Sequence, residues 1–388
     1  MTQKPSPKIN RNNQIIAALS LALLAVIALG VYLLMGTDST APETKPQPSQ
    51  PLESGSQMPE AETVLPSMIA NAKTHVYTLY SDLEQGSGFL INTKGDILTN
   101  AHVVLDASYI TVKNSDGQEF NGHVIGVSDT QDLAIVRVDE LAGKEPLEIE
   151  MEPVAIGSPV VAIGSPHDQN NTATTGEITA IDLDFEDQYQ YNSLYEMNAE
   201  IAQGSSGGPL IATDTGKILG INSIILEEKP GSGYTIPIYT VWDQLTEWVE
   251  NPITTEEQEI VLQDVKDAYF ADDLLENFIS AYYELMPYSL NDADSSYYLS
   301  YILPDSEAEQ EATKLIDEYA GPDRIYDTVQ PAITSIEVNE DSATVEAEAE
   351  FTYREETSGE SSTVSHEGVY TVVIDEYGDY QIADIANE

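Results

Sequence analysis

The sequence predicts a mostly β central region, preceded by one apolar helix and followed by an α+β region. Three observations predict this. An apolar run from Ile15 to Met35 lies near the start of the chain. From Ala61 to Glu250, short β-prone segments recur between Gly, Asn, Asp and Pro turns, the spacing of a barrel or sandwich. Beyond residue 250, helical periodicity comes first and long alternating strands come last, the order of an α+β domain. With 388 residues there is room for two or three domains. A hydrophobic share of 41% excludes a globally disordered chain.

Residues 1–13 carry Lys4, Lys8 and Arg11 and no acid. The expected membrane helix, 14–36, contains the apolar run Ile15–Met35, interrupted only by Ser20, Gly30 and Tyr32. A helix of this length spans the roughly 30 Å of a bilayer's hydrocarbon core. Basic residues stay on the cytoplasmic side, so residues 1–13 are expected inside and the bulk of the chain outside. A cleaved signal peptide fits less well, because its apolar core is about 7–15 residues and Leu33-Leu34-Met35-Gly36 is a poor cleavage site. Residues 37–60, rich in Pro, Ser, Thr, Gln and Glu, cannot bury enough apolar surface to fold and read as an extended stalk.

The charge is lopsided. There are 67 acidic and 15 basic side chains, a net charge of −52, and every acid lies beyond the apolar run. Nucleic-acid binding is excluded as a function class, since phosphate contacts need clustered Lys and Arg. Electrostatic adhesion to anionic lipid is excluded likewise. With no cysteine, disulfides, thiol catalysis and thiolate metal sites are ruled out. Residues 251–388 hold 34 acids against Lys266, Lys314, Arg324 and Arg354, which ties the excess to that segment. High charge of this kind favours solubility.

Within 61–250, strands are expected around Gly88–Ile91, Asp96–Thr99, Tyr109–Val112, Ala134–Val138 and Pro159–Ile163, and one helix around Thr240–Val249. Three patterns carry chemistry. Leu98-Thr99-Asn100-Ala101-His102 is a strand running into a turn that bears a histidine. Asp132-Leu133-Ala134-Ile135-Val136 places an aspartate at the head of a strand. Gly204-Ser205-Ser206-Gly207-Gly208-Pro209 holds serines on a glycine-rich loop, able to aim backbone N–H groups at one point. Hydrolysis by serine needs a base within reach and a carboxylate to orient it. His102, Asp132 and Ser206 supply the three. Asp129 is the nearest rival to Asp132, but no apolar strand follows it directly, and Ser205 is the rival to Ser206.

In order and spacing these motifs, with Gly86-Ser87-Gly88-Phe89, Gly220-Ile221-Asn222 and Tyr234-Thr235-Ile236-Pro237, resemble the trypsin-like serine proteases, and among them the HtrA/DegP family. The resemblance covers about half of the chain. It implies two six-stranded antiparallel β-barrels of the chymotrypsin type over 61–250, with the site in the cleft between them. It implies Ser206 as nucleophile immediately before Gly207-Gly208, His102 as general base and acid, and Asp132 as the group that fixes the imidazole. It implies an oxyanion hole from the N–H groups of Gly204, Ser205 and Ser206, and a strand, Gly220, Ile221, Asn222 and Ser223, that pairs with an extended substrate. The residue six before the nucleophile, Glu200, stands where the family carries a small residue near the base of the specificity pocket. A carboxylate there favours Lys or Arg in the substrate; turned to solvent, it leaves the family's aliphatic preference. His75, His123, His167 and His366 have no matching context.

The Gly-flanked carboxylate-capture loop of a PDZ domain, usual in that family, has no counterpart in 251–388. Helices are expected over Glu256–Met286 and Ser306–Tyr319, then strands at Thr334–Val338, Ala343–Tyr353, Thr363–Ile374 and Tyr380–Ile385. The order resembles the cone-shaped nuclear-transport-factor-like domain at the end of surface proteins such as TcaA. Alternation in Ala343–Phe351 implies one wet acidic face. Tyr282, Tyr283, Tyr297 and Tyr298 suit a core or an interface. Asp292 and Asp294 look like half a calcium loop without its glycine and terminal glutamate, and read as solvated.

The expected function is that of a membrane-anchored extracytoplasmic serine endopeptidase of a Gram-positive bacterium, cleaving misfolded or regulatory envelope proteins. It needs no cofactor and no metal. Its partners are protein or peptide substrates and, through one N-terminal helix, the membrane; a homo-oligomer is compatible with the sequence, and the accessory region's ligand is not legible. The alternative is a non-hydrolytic surface receptor or cell-wall-binding protein that uses the barrel as a scaffold.

Overall fold

Short strands with tight turns produce two sheets in succession. In the first, β1 (Val76–Ser81), β2 (Gln85–Leu90), β3 (Lys94–Thr99), β4 (Ile110–Lys113), β5 (Glu119–Asn121), β6 (His123–Val127) and β7 (Ala134–Ala142) pair antiparallel in the order β5-β4-β1-β2-β3-β7-β6. In the second, β8 (Pro159–Gly164), β9 (Thr172–Glu186), β10 (Gln190–Met197), β11 (Pro209–Ala212), β12 (Ile218–Ile225) and β13 (Gly233–Pro237) close a barrel in the order β10-β13-β12-β11-β8-β9. The computed structural model describes residues 60–165, 172–201, 204–225, 231–253, 268–321 and 323–387. The apolar run at 14–36 and the stalk up to residue 59 lie outside them. Among the described residues no helix is long and apolar enough to cross a membrane.

The second sheet is the expected six-stranded barrel; the first differs from the expectation in counting seven strands, with its two edges joined through the chain and not by a ladder. The reason is local. Only Gly122 separates β5 from β6, so the chain passes directly from one sheet edge to the other, and the Gly122 N–H reaches across to Ile110 O at 2.9 Å.

Each sheet fills its own interior. Leu79, Leu90, Ile97, Val112 and Val136 pack inside the first, and Val160, Ile178, Met197 and Leu210 inside the second. A further cluster joins them: Phe89, Leu98, Ala101 and Leu133 meet Ile163, Tyr191, Leu194, Ile221 and Ile236. This seam removes apolar surface of both sheets from water, worth roughly 25 cal/mol per Å2, and fixes their relative seating. Three helices frame the region. The amino-terminal helix α1 (Glu60–Lys73) and the single turn α2 (Ala101–Val104) carry no periodicity that the sequence pattern resolves. Helix α3 (Ile238–Glu250) spans the expected Thr240–Val249 and lays Trp248 against Gly126, where a Cβ would lie 2.3 Å from the indole.

The carboxy-terminal region holds α4 (Asp272–Asp292), a 3₁₀ helix over Ser295–Tyr301, α5 (Glu307–Tyr319), and an antiparallel sheet of β14 (Arg324–Val338), β15 (Ala343–Glu355), β16 (Ser361–Ile374) and β17 (Tyr380–Asn387) in chain order. Helix α4 starts later than the expected Glu256. Residues 254–267 lie outside the described part, and Tyr269 is not helical because Gln118 takes both its backbone groups, at 2.7 and 3.0 Å. β14 starts ten residues before the expected Thr334 and contains Pro331, which an edge strand tolerates. Tyr282, Tyr283, Tyr297 and Tyr298 are all buried, and Tyr282 meets Tyr298 and Tyr370 edge-on at 5.2 and 5.7 Å. Along β15, Val345, Ala347, Ala349 and Phe351 face this core while Glu346, Glu348 and Glu350 face water.

The described residues form one compact unit, and the accessory region grips the first sheet. Asn114 Nδ2 donates to Gly378 O at 2.9 Å and to Asp379 Oδ1 at 3.1 Å. The Tyr380 N–H donates to Asp116 Oδ2 at 2.9 Å. Lys144 donates to Asp379 in an ion pair whose side chains are 8% and 6% exposed. Burial works against the Lys144 ammonium, but Tyr77 and Asp379 outweigh it and hold the pKa above the usual lysine range. Burial, and then Asp379, push Asp116 up to about 7.

Candidate active site

β3 ends at Thr99, and Asn100, extended at φ −79° and ψ 149°, turns the chain into α2. Ala101, Val103 and Val104 are buried in that turn, which leaves His102 as the residue facing out, its side chain 29% exposed. Asp132, fully buried, lies beneath it. His102 Nδ1 is 2.9 Å from both Asp132 oxygens, and the His102 N–H donates to Oδ1 at 3.1 Å. A carboxylate oxygen only accepts, so Nδ1 carries the proton and Nε2 keeps its lone pair. Burial lowers the imidazole pKa, but the hydrogen bond and charge of Asp132, with Glu84 further off, raise it above the usual histidine value. Asp132 responds oppositely. Burial raises it, and His102 and the Ser223 hydroxyl bring it below the usual carboxylate range. Asp129, the rival, is exposed.

The glycine-rich loop rests on the first sheet. The Ser87 N–H donates to Ser206 O at 2.7 Å, and Ser87 Oγ donates to Gly204 O at 2.7 Å. Ser165 N–H in turn donates to Ser87 Oγ at 3.0 Å. Gly204 and Gly207 have φ of +97° and +89°, a region that favours glycine, and a Cβ on Gly207 would fall 2.0 Å from Ser87 O. Ser205 is buried against Gly164, whereas Ser206 is half-exposed. The two serines thus differ in access: only Ser206 of the pair offers its side chain to a substrate-sized reactant.

Glu200 is exposed, and its backbone carbonyl accepts from Thr174 Oγ1 at 2.6 Å. It stands at a pocket of about 130 Å3 whose other walls are Ala162, Ile163, Thr172, Thr174, Ile201 and Ser205. The expectation that Gly220, Ile221 and Asn222 offer a pairing edge is overturned. Gly220 and Ile221 pair with Leu210 and Pro209 on one side and with Pro237 and Ile236 on the other. Asn222 exchanges backbone bonds of 2.8 Å with Gly207 and Gly208 and pairs with Thr235. Both edges of this stretch are occupied. Ser223 turns its hydroxyl inward, donating to Asp132 Oδ2 at 2.8 Å. Ile224 and Ile225 pair with Tyr234 and Gly233, and among the described residues that is their sole ladder, so the open edge lies later than the motif suggests.

The motifs assign no role to Ser87, Asn100 or Tyr191, yet all three shape the site. Asn100 Nδ2 donates to Asp132 O at 2.7 Å and to Ser223 Oγ at 3.1 Å, and the Tyr191 hydroxyl donates to Asp132 Oδ2 at 3.1 Å. Ser87 and Asn100 stand within the Gly86–Phe89 and Leu98–His102 patterns, whereas Tyr191 has no local signal in the sequence. Of the other histidines, His75 is held low, to about 4, by burial and by Lys144, and His366 is packed beside Tyr283. His123 lies on β6, and His167 is outside the described residues. Among the described residues no group of His, Asp and Glu is arranged to hold a metal ion. Asp292 and Asp294 are exposed, the latter accepting the Ser296 N–H at 2.9 Å.

Two stretches of the chain match known families. Residues 86–221 match the family model described as a trypsin-like peptidase domain, and residues 271–386 match that of the TcaA protein NTF2-like domain. HhoA of Synechocystis sp. is 36% identical over 166 residues, 40% of this chain and 40% of its own length. The periplasmic serine endoprotease DegP of Salmonella typhimurium is 32% identical over 177 residues, 42% of this chain and 36% of its own. The chain thus spans about two fifths of the length of the curated relatives it matches. A crystal structure of the Rv3671c protease of M. tuberculosis shares 27% identity, with a TM-score of 0.45, covering 51% of this chain and 97% of that one. The central region is thus similar to trypsin-like peptidase domains with HtrA-type relatives, and the region after it to an NTF2-like domain, where the resemblance to the family would place a PDZ domain.

Proposed function

We propose that the chain is an HtrA-like serine endopeptidase, tethered to the cell membrane through residues 14–36 with residues 1–13 cytoplasmic and both folded regions outside, in a Gram-positive envelope. The observation that carries the enzymatic part is the His102–Asp132 pair, Nδ1 at 2.9 Å from both carboxylate oxygens, near the loop that presents Ser206. Lys4, Lys8 and Arg11 just before the apolar run support the orientation.

In this reading Ser206 Oγ attacks the scissile carbonyl carbon and His102 Nε2 takes its proton. The carbonyl oxygen becomes an oxyanion held by the N–H groups of Gly204, Ser205 and Ser206. His102 then protonates the departing amine, leaving an acyl-enzyme. A water molecule, deprotonated by His102, hydrolyses it and restores Ser206. Asp132 stays ionised and steadies the imidazolium. The substrate backbone pairs with the later part of β12, from Ser223 to Ile225. Misfolded or regulatory envelope proteins are the substrate class, and an oligomer is compatible with this site. Because Asp132 raises the His102 pKa, activity climbs with pH through a midpoint above the ordinary histidine value.

A fluorophosphonate probe tests the reading. At pH 8 the native protein should be labelled and Ser206→Ala should not. A folded native protein that resists the probe would overturn the hydrolase and favour a receptor that uses the same fold as scaffold. Proteolysis of intact cells from outside, with tags at either end, tests the orientation: protection of a carboxy-terminal tag would overturn it.

A further inference from the structure

Asp132 sits on the first sheet, but two of its hydrogen-bond donors come from the second. We infer that Tyr191 is a positioning residue for Asp132, holding the carboxylate from the tip of the β9–β10 hairpin and tempering the basicity it confers on His102. This rests on the protease reading for its catalytic meaning, though not for its measurement.

The geometry is over-determined. Asp132 Oδ1 accepts the His102 backbone N–H, at 3.1 Å, and Oδ2 accepts Ser223 Oγ at 2.8 Å and the Tyr191 hydroxyl at 3.1 Å. His102 Nδ1 lies at 2.9 Å from both oxygens. Asp132 is fully buried and Tyr191 is 8% exposed, so water cannot readily replace a lost donor. The ring that carries the hydroxyl is itself fixed. Phe185 tilts against it at 6.1 Å and Tyr189 meets it edge-on at 6.3 Å. The hairpin is pinned to the segment before Asp132, where the Gln190 N–H donates to Thr130 O at 2.9 Å. The hydroxyl is thus placed by two aromatic contacts and one backbone bond, not by a flexible stem.

The electrostatic consequence has a definite sign. Burial, and then Asp132, raise the Tyr191 pKa far above the usual phenol value, so it remains a neutral donor. A donor on Oδ2 spreads the carboxylate's charge and makes it a weaker acceptor for His102. Removing the hydroxyl leaves Asp132 a stronger base toward the imidazole, and the His102 pKa rises. The other groups that bear on this pair are Glu84 in the β1–β2 turn, Ser223 on β12, Tyr189 in the hairpin and Asp106 just after α2. All of them stay in place when only the phenolic oxygen is deleted.

The test uses the full chain and two changes of opposite sign. Tyr191→Phe keeps the ring and deletes the donor; 3-fluorotyrosine at position 191 keeps the ring and strengthens the donor. The His102 midpoint is read by NMR with labelled histidine, the signal assigned by its loss in His102→Gln. Tyr191→Phe should raise the midpoint by about 0.3–0.8 unit, and fluorotyrosine should lower it. In peptide hydrolysis, Tyr191→Phe should lower kcat about three- to thirty-fold with KM within twofold, and the acid limb should move the same way as the NMR midpoint. A midpoint unchanged in both variants would reduce Tyr191 to packing and overturn the inference. If Tyr191→Phe fails to fold, the fluorotyrosine protein alone decides, by a lowered or an unmoved midpoint. The NMR reading needs no turnover, so a failure of the protease reading, seen as a native protein that resists the fluorophosphonate probe, is told apart from a failure of the Tyr191 inference.

Discussion

Two of the buried aspartates that face a basic group do opposite jobs. At the cleft, Asp132 faces His102; at the junction with the accessory region, Lys144 faces Asp379. The cleft pair leaves its base 29% exposed and matched to a titratable imidazole. The junction pair is 8% and 6% exposed and uses an ammonium that stays charged across the physiological range. Around Asp132 the extra donors are neutral: a serine, a tyrosine and backbone N–H. Around Asp379 there is one neutral side-chain donor, Asn114, and two further carboxylates, Asp116 and Asp375. The same pair of groups therefore becomes a reversible proton carrier in one setting and a fixed clamp in the other. The difference lies in access and in which neighbours share the carboxylate.

The sharpest way to break the contrast is at the cleft. Asp132→Asn keeps the volume but offers an amide to Nδ1, which selects the wrong imidazole tautomer. We expect kcat to fall about 10^4-fold in peptide hydrolysis while the fold, followed by near-UV circular dichroism, survives. A loss of less than tenfold would mean that Asp132 does not set the tautomer.

At the junction, the matching change should cost stability and spare chemistry. Lys144→Ala leaves Asp379, Asp116 and Asp375 buried together without their ammonium. A loss of about 3–5 kcal/mol in urea unfolding is expected, with the fluorophosphonate reaction of the folded fraction unchanged. A near-neutral effect would show that water reaches the cluster and screens it.

The clamp also has a pH dependence of its own. Asp116 is raised to about 7 by burial and by Asp379, from an ordinary value near 4. The folded state thus holds a proton that the unfolded chain has released between those values. Stability from this group is fully present below about pH 4 and is lost as pH rises through about 7. Asp116→Asn should be more stable than the native protein at pH 8, by on the order of 1 kcal/mol given its partial exposure, and the gain should vanish near pH 4. An advantage independent of pH would place the cost elsewhere.

How much of this was legible in the sequence depended on how local the cause was. His102, Asp132 and Ser206 stand in short patterns whose chemistry demands those residue types, and the alternation in β15 reads directly as a wet and a dry face. What stayed hidden was set by partners far along the chain. The edge of β12 at Gly220–Asn222 looks available until β11 and β13 are seen on both sides of it. Ser223 reads only as a backbone-pairing residue until its hydroxyl is also found on Asp132, 91 positions away. Tyr269 looks helical by periodicity, but Gln118, 151 positions away, takes both its backbone groups. The first sheet's seventh strand follows from a single glycine, Gly122, at which one bent stretch divides into β5 and β6, something a count of strands does not register.

The smallest effect expected concerns Glu200, the acidic residue whose position alone argued for a chemical role. Its side chain is exposed, at a pocket of about 130 Å3 with largely apolar walls of Ala162, Ile163 and Ile201. An exposed carboxylate contributes about 0–1 kcal/mol to an ion pair, at most about a fivefold preference, and salt screens it. The apolar walls meanwhile favour an aliphatic side chain by burial, about 0.8 kcal/mol for each methylene. The two terms are comparable, so neither fixes specificity alone. Glu200→Ala should lower the ratio of kcat/KM for Arg- over Val-containing peptides by about two- to fivefold at low salt and leave it unchanged at 0.5 M salt, where the screening length is only about 4 Å. A fall of a hundredfold would instead require a desolvated carboxylate, turned into the pocket when a substrate binds.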